Sequence, residues 1–203
     1  MRALAAALLL ACAGAAAAAD LPGVPGGLRE PGAAGWLTFG AGLAIPAGGH
    51  WGDTGSGFKP SGAVSAAVAR KLDDTYSWGV DGSCAFAHRY RKDGSFRVGL
   101  GSLEPFYRIT VPRGSWRLYG LFGAGLYFWR TAAPLPADSG SGSSAGFSLG
   151  FGGARRLTGG LDGGFELRWH HILDMDGPGL DLGAADNVAL MLTVSVPTPK
   201  RTP

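Results

Sequence analysis

Glu166, Arg168 and His170 stand two residues apart, and a second histidine, His171, follows directly. An acid, a permanent cation and an imidazole in one short stretch are the ingredients of general acid–base chemistry or a proton relay. They are equally the ingredients of an ion-pair network. A spacing of two is the β-strand period, which sends all three side chains to one face. Asp81 and Arg89 supply a further acid and base, eight residues apart and so of one parity, in a second alternating stretch. Asp81, Arg89, Glu166, Arg168 and His170 are therefore expected to share one polar network inside a closed sheet, with Glu104 and Arg108 as further candidates. An unpaired charge away from water costs about 3–5 kcal/mol, which favours mutual pairing over catalysis.

Other chemistries find less support. Neighbouring strand residues point to opposite faces, so His170 and His171 cannot chelate one ion together. The acidic stretch Asp174–Asp181 lacks EF-hand spacing and its terminal glutamate, and reads as a solvated surface loop. Ser139–Ser144 is Gly/Ser-rich but lacks the lysine of a phosphate-binding loop, and reads as a flexible outer loop. No metal or other cofactor is expected. A net charge of +3 without a compact Lys/Arg block gives no basis for nucleic acid as a partner.

These side chains need strands to position them, and period-two alternation runs through most of the chain. Tyr76, Trp78, Val80, Cys84, Phe86 and Tyr90 oppose Ser77, Gly79, Asp81, Ser83, Ala85, Ala87 and Arg89. Val188, Leu190, Leu192, Val194 and Val196 oppose Ala189, Met191, Thr193 and Ser195. Phe165, Leu167, Trp169 and His171 oppose Glu166, Arg168 and His170, and 35–45 repeats the pattern with glycine on the small face. Less regular versions occupy 63–72, 96–109, 116–129 and 146–154, making about eight strands. The stretch 96–109 changes phase near Ser102, where a β-bulge is expected.

A soluble sheet buries its apolar face and exposes charge. Here the small face carries both the glycines and the mid-strand charges, opposite continuous aliphatic and aromatic residues. That inversion belongs to a membrane-spanning barrel, with lipid outside and a narrow lumen within. The predicted fold is all-β: an eight-stranded, antiparallel, up-and-down transmembrane β-barrel. Trp36, Trp78, Tyr90, Phe106, Tyr107, Trp116, Tyr127, Trp129 and Trp169 fall mostly near strand ends, where interfacial girdles form. Long connections (46–60, 131–144, 174–186) all follow odd strands, whereas 73–75, 112–115 and 157–159 are tight. With the N-terminus in the periplasm, the long loops are extracellular. Only the short 91–95 departs from that rule.

The ends of the chain differ from its middle. Arg2, the apolar run 3–11 and Ala17-Ala18-Ala19 before Asp20 have the form of a cleaved signal peptide, 1–19. Processing at Cys12 as a lipoprotein is the competing reading. Signal removal leaves Cys84 without a disulfide partner. Residues 20–34 are Pro/Gly-rich and read as a flexible arm, 35–196 as the barrel, and 197–203 as a disordered tail. Two hundred and three residues with 36 glycines fit one such domain.

The chain resembles small OmpA/OmpX-type outer-membrane β-barrel domains, of the porin-family β-barrel kind, over roughly 35–196. The resemblance rests on Trp36-Leu37-Thr38-Phe39-Gly40-Ala41-Gly42, Tyr119-Gly120-Leu121-Phe122-Gly123-Ala124-Gly125, Glu166-Leu167-Arg168-Trp169-His170-His171 and the Ala189–Val196 alternation. It implies a monomer in the bacterial outer membrane, contacting membrane lipid and lipopolysaccharide and inserted by the barrel-assembly machinery. Members often end on an aromatic residue, whereas this chain continues into Pro197-Thr198-Pro199. The role expected is non-enzymatic, structural or surface-interacting, with the interior closed by ion pairs. A narrow pore for small solutes and a lipid A-modifying hydrolase are the alternatives. Similar deacylases carry a serine closely after a histidine, where this chain has Ile172 and Leu173. A soluble lipocalin-like barrel is the reading that lies outside the membrane.

Overall fold

A strand with one greasy and one small face is stable only if each face meets its own solvent. The computed structural model, which describes residues 33–134, 139–157, 160–177 and 180–199, meets that condition by closing the sheet on itself. Eight strands form the wall: β1 (Ala33–Ala47), β2 (Ser61–Lys71), β3 (Tyr76–Arg89), β4 (Arg97–Arg113), β5 (Trp116–Ala132), β6 (Ser141–Arg156), β7 (Asp162–Ile172) and β8 (Ala185–Pro199). Each pairs antiparallel with its chain neighbours, and β1 pairs with β8 to complete the ring. The expected signal peptide and most of the expected arm lie outside the described residues, as do the last four residues.

The pleat points as the inversion requires. Large apolar side chains stand on the outer wall, with Phe122 52%, Phe151 57% and Leu192 76% exposed, whereas Asp81, Glu104 and Arg168 are buried within. Phe86 and Leu190 are on the outer wall too, nearly half exposed. Described helices contribute one short turn, α1 (Gly49–Gly52), and none is long and apolar enough to cross a membrane.

Tight connections lie at one end. Asp73 accepts the backbone N–H groups of Thr75 and Tyr76 at 2.7 and 2.8 Å, an Asx-type turn joining β2 to β3. Gly114, at φ 59°, takes the left-handed backbone that the two-residue β4–β5 turn requires. At the opposite end α1 folds back over the lumen. Its Trp51 is buried there with Phe58 from the same loop and Met175 and Leu180 from the β7–β8 loop, against Val98, Leu100 and Ile172 of the wall.

That apolar mouth explains one departure from the sequence reading. The phase change expected near Ser102 is not a bulge, because β4 pairs in constant register through it. Val98 and Leu100 instead face the lumen, where the outer third is apolar, and Leu103 faces out without any break in alternation. The bulge lies in the adjacent strand, between Ala85 and His88. Parity also divides the aromatics. Tyr76 stacks on Tyr107 on the outer wall at one end, and Phe147 meets Trp169 at the other. Trp36, Phe106, Tyr127 and Trp129 are lumen side chains rather than girdle members. The C-terminal strand is longer than expected: Pro197 and Thr198 pair with Trp36 and Gly35. β7 stops at Asp162 opposite Ser195, so β8 is an edge strand beyond that point and tolerates proline.

Candidate functional site

The lumen side chains form three layers. In the middle layer, β7 contributes Glu166, Arg168 and His170 at alternate positions, so all three turn inward. The strand order sets β3 four places from β7, on the opposite wall. Arg168 spans that gap. Its Nη1 donates to Asp81 Oδ1 at 2.8 Å, while Nε and Nη2 donate to Glu166 Oε1 at 3.0 and 2.6 Å. The second Glu166 oxygen accepts the Tyr119 hydroxyl at 3.1 Å and lies 3.9 Å from Arg108 Nη2. The Arg108 guanidinium in turn lies over the Tyr119 ring, 4.2 Å from its centroid. Cationic and aromatic groups thus stack where both are largely buried.

Glu104 of β4 anchors a second cluster. Its Oε1 accepts the Tyr127 hydroxyl at 2.7 Å and lies 3.1 Å from His170 Nδ1; its Oε2 accepts the Ser148 hydroxyl at 2.5 Å. Partners come from β5, β6 and β7, so one carboxylate ties together half the circumference. Glycines make room for the large rings. A Cβ on Gly146 would lie 2.6 Å from the Tyr127 ring, and one on Gly152 would lie 2.5 Å from Tyr119. Each tyrosine therefore abuts bare backbone of β6, and its hydroxyl reaches a lumen carboxylate.

The layer near the tight turns is simpler. Asp162 pairs with Arg117 and, at 2.9 Å, with Arg156 Nε. Trp36 lies between Lys71 and Arg117, each 5.5 Å from its ring. The third layer is the apolar mouth. Within it His88 is fully buried, 3.0 Å from the Lys59 carbonyl through Nδ1 and edge-on to Trp51. Between mouth and middle layer remains a cavity of about 20 Å³, bordered by Ser83, Ser102, Tyr127, His170 and Asn187. That is room for about one water molecule.

Of the five residues expected to converge, Asp81, Glu166 and Arg168 bond to one another, and His170 lies in the same layer against Glu104. Arg89 does not join them. The extra residue at the Ala85–His88 bulge reverses parity, so His88 turns inward and Arg89 projects from the outer wall, exposed. Glu104 and Arg108 are full members. Tyr119, Tyr127, Ser148 and Asp162 were missed. Tyr127 and Ser148 share the inward parity of their strands, but a hydroxyl on a small face carries no distinguishing mark in the sequence. His171 faces out and pairs with Asp186 at 2.7 Å. In the β7–β8 loop, Asp176 accepts the backbone N–H groups of Leu182 and Gly183. Those hydrogen bonds, Gly183's first, hold its carboxyl below the usual carboxylate range. Among the described residues no cluster of ligand side chains is arranged to hold a metal.

A closed antiparallel barrel with hydrocarbon-seeking residues outside and a hydrogen-bonded ionic core defines a membrane-spanning β-barrel. The chain belongs to the outer membrane protein beta-barrel domain family, whose profile matches residues 3–194. Its location is the bacterial outer membrane, where it contacts membrane lipid and lipopolysaccharide. Among solved structures it is similar to the Neisserial surface protein A, at 14% identity and a TM-score of 0.59, covering 83% of this chain and all of that one. It is also matched to the N-terminal β-barrel domain of Pseudomonas aeruginosa OprF, at 13% identity and a TM-score of 0.48, covering 81% and 98%. No curated protein matches the chain.

Proposed function

We propose that this protein is a non-enzymatic barrel whose rigid, plugged wall presents its outer loops for a structural or surface-interaction role. One observation carries the reading: Arg168 crosses the lumen to Asp81, and the mouth above is filled by Trp51, Phe58, Met175 and Leu180. Ions would have to break buried ion pairs and displace an apolar plug to pass. The first outer loop is fastened. Lys59 N–H donates to the Arg89 carbonyl at 2.9 Å and Arg91 N–H to the Gly57 carbonyl at 2.9 Å, tying the first loop to the β3 rim. In planar bilayers the purified protein is expected to give no resolved conductance steps. Sustained channel openings at low voltage would replace this reading with the narrow-pore one.

The hydrolase alternative has one feature to weigh, the His171–Asp186 pair on the outer wall. The ring neighbours of His171 are Phe147 and Trp169, which offer no nucleophile. Mass spectra of lipid A with and without expression are expected to be identical. The barrel is proposed to be monomeric and to need the assembly machinery for insertion, which depletion of that machinery tests through loss of the heat-modifiable folded form.

A further inference from the structure

We propose that Arg89, Arg97 and Arg130 form a binding site for the phosphate of a lipopolysaccharide headgroup on the outer wall of the barrel. This rests on the membrane-barrel reading and on the long-loop end facing outward. The bulge that removes Arg89 from the lumen sets it directly opposite Arg97 on β4. Directly opposed strand residues have Cβ atoms about 4.5–5.5 Å apart. Arg130 on β5 pairs with Gly99, one diagonal step from Arg97, which places it about 7–8 Å away. All three side chains are exposed, and none has an ion-pair partner among the described residues.

Like charges directly opposite one another destabilise a sheet unless an anion lies between them. The surroundings leave space for one. Gly99 lies between the arginines without a side chain, and the nearest atom to a Cβ built there is the Phe86 carbonyl oxygen at 3.3 Å. The register thus sets three arginines around one position that carries no side chain, and guanidinium forks bind phosphate oxygens in pairs. Lys92, exposed in the connecting loop, adds a fourth cation. The nearby Asp93 carboxylate is occupied by the backbone N–H and hydroxyl of Ser95, at 2.9 and 2.6 Å.

The height of the triad selects the ligand. Along β5 the outward positions Leu118, Gly120, Phe122, Ala124, Leu126 and Phe128 are apolar, and Arg130 comes next. Ten strand residues tilted by about 40° rise about 26 Å, close to the apolar band of about 25 Å on such barrels. Arg130 and its partners therefore stand at the hydrocarbon edge, level with headgroups rather than out among soluble ions. In the outer leaflet the anionic headgroup is that of lipopolysaccharide.

The test uses the purified protein in detergent micelles, with bis-phosphorylated lipid A, dephosphorylated lipid A and phosphatidylglycerol as probes and native mass spectrometry as readout. The wild type is expected to retain phosphorylated lipid A at least about ten-fold more than the phosphate-free form, as loss of charge-assisted hydrogen bonds dictates. The triple variant Arg89→Gln, Arg97→Gln, Arg130→Gln should lose that preference. Arg113→Gln with Arg155→Gln, at the other rim, should keep it. Equal retention of both lipid A forms by the wild type overturns the site without reference to any variant. So does undiminished preference in a triple variant with normal heat-modifiable migration. Tighter retention of phosphatidylglycerol than of lipid A overturns lipopolysaccharide as the source. Failure of the wild type to insert into vesicles would instead strike the membrane reading itself, and the site with it.

Discussion

The middle of the lumen and its outer mouth are both closed to water, yet opposite chemistries fill them. In the middle, Arg168 bonds across the lumen to Asp81, and Glu104 gathers hydroxyl donors from β5 and β6 through short hydrogen bonds. At the mouth, Trp51, Phe58, Met175 and Leu180 descend from loops onto Val98, Leu100 and Ile172. The difference follows from what each region must hold. Strand side chains reaching across the lumen meet fixed partners, and directional bonds suit fixed partners. Loops arrive with backbone freedom, and non-directional apolar burial accepts many approaches. The middle should thus govern the stability of the wall, and the mouth only the order of the loops.

The largest test of this division is Arg168→Met. It leaves Asp81 a buried anion without a cation, at an expected cost of about 3–5 kcal/mol in urea unfolding from lipid vesicles. Neutralising the facing partner as well, with Asp81→Asn, should return most of that loss, because the penalty lies in the unpaired charge and Glu166 keeps Arg108 beside it. If the single and double variants are equally unstable, geometry rather than charge holds the walls together.

Trp51→Ala probes the other region. In a closed core such a truncation costs about 3–5 kcal/mol. Here the loop can lift instead, so the cost should appear as local opening. The amides of Phe58, Lys59 and Arg91, which are bonded at the rim, are expected to lose most of their hydrogen-exchange protection while β7 amides keep theirs. A fall in the global unfolding midpoint as large as that of Arg168→Met would erase the distinction between the regions.

The same contrast explains what was legible in the sequence. Wall architecture is written in period two, and the alternations at 76–86, 164–172 and 188–196 gave β3, β7 and β8 their faces. Inward parity alone placed Asp81, Glu166, Arg168 and His170. The outward turn of Arg89 was not written there. A bulge is one unpaired residue whose signature, Ala85-Phe86-Ala87-His88, alternates as well as its neighbours do. The apolar mouth misled in a second way: Val98 and Leu100 look lipid-facing when the lumen is assumed polar throughout. Loop packing over the mouth depends on where Trp51 lands, which is a tertiary fact with no local period.

Packing inside the middle region offers a smaller effect. Gly146→Ala would set a Cβ 2.4 Å from the His171 carbonyl oxygen and 2.6 Å from the Tyr127 ring. Relieving both contacts shifts β7 backbone as well as the ring, an overpacking cost of about 1–3 kcal/mol. Gly120→Ala is the control. It faces outward, with nothing nearer than the Gly150 carbonyl oxygen at 4.0 Å, and should leave stability unchanged or slightly raised.

The smallest change expected comes from Tyr127→Phe, which keeps the ring against Gly146 and removes only the hydroxyl. That hydroxyl donates to Glu104 Oε1 at 2.7 Å and lies 2.9 Å from His170 Nδ1. Glu104 is not abandoned by its loss. Ser148 still serves Oε2, and His170 Nδ1 remains 3.1 Å from Oε1. One hydrogen bond to a charged acceptor, in a site that keeps other donors, is worth about 1–2 kcal/mol. Urea unfolding of the variant should show that loss, with rim amide exchange unaltered. A loss as large as that of Arg168→Met would make Tyr127 the sole effective partner of Glu104. No loss at all would mean that the ring's fit against β6, and not its hydroxyl, is what the middle layer needs.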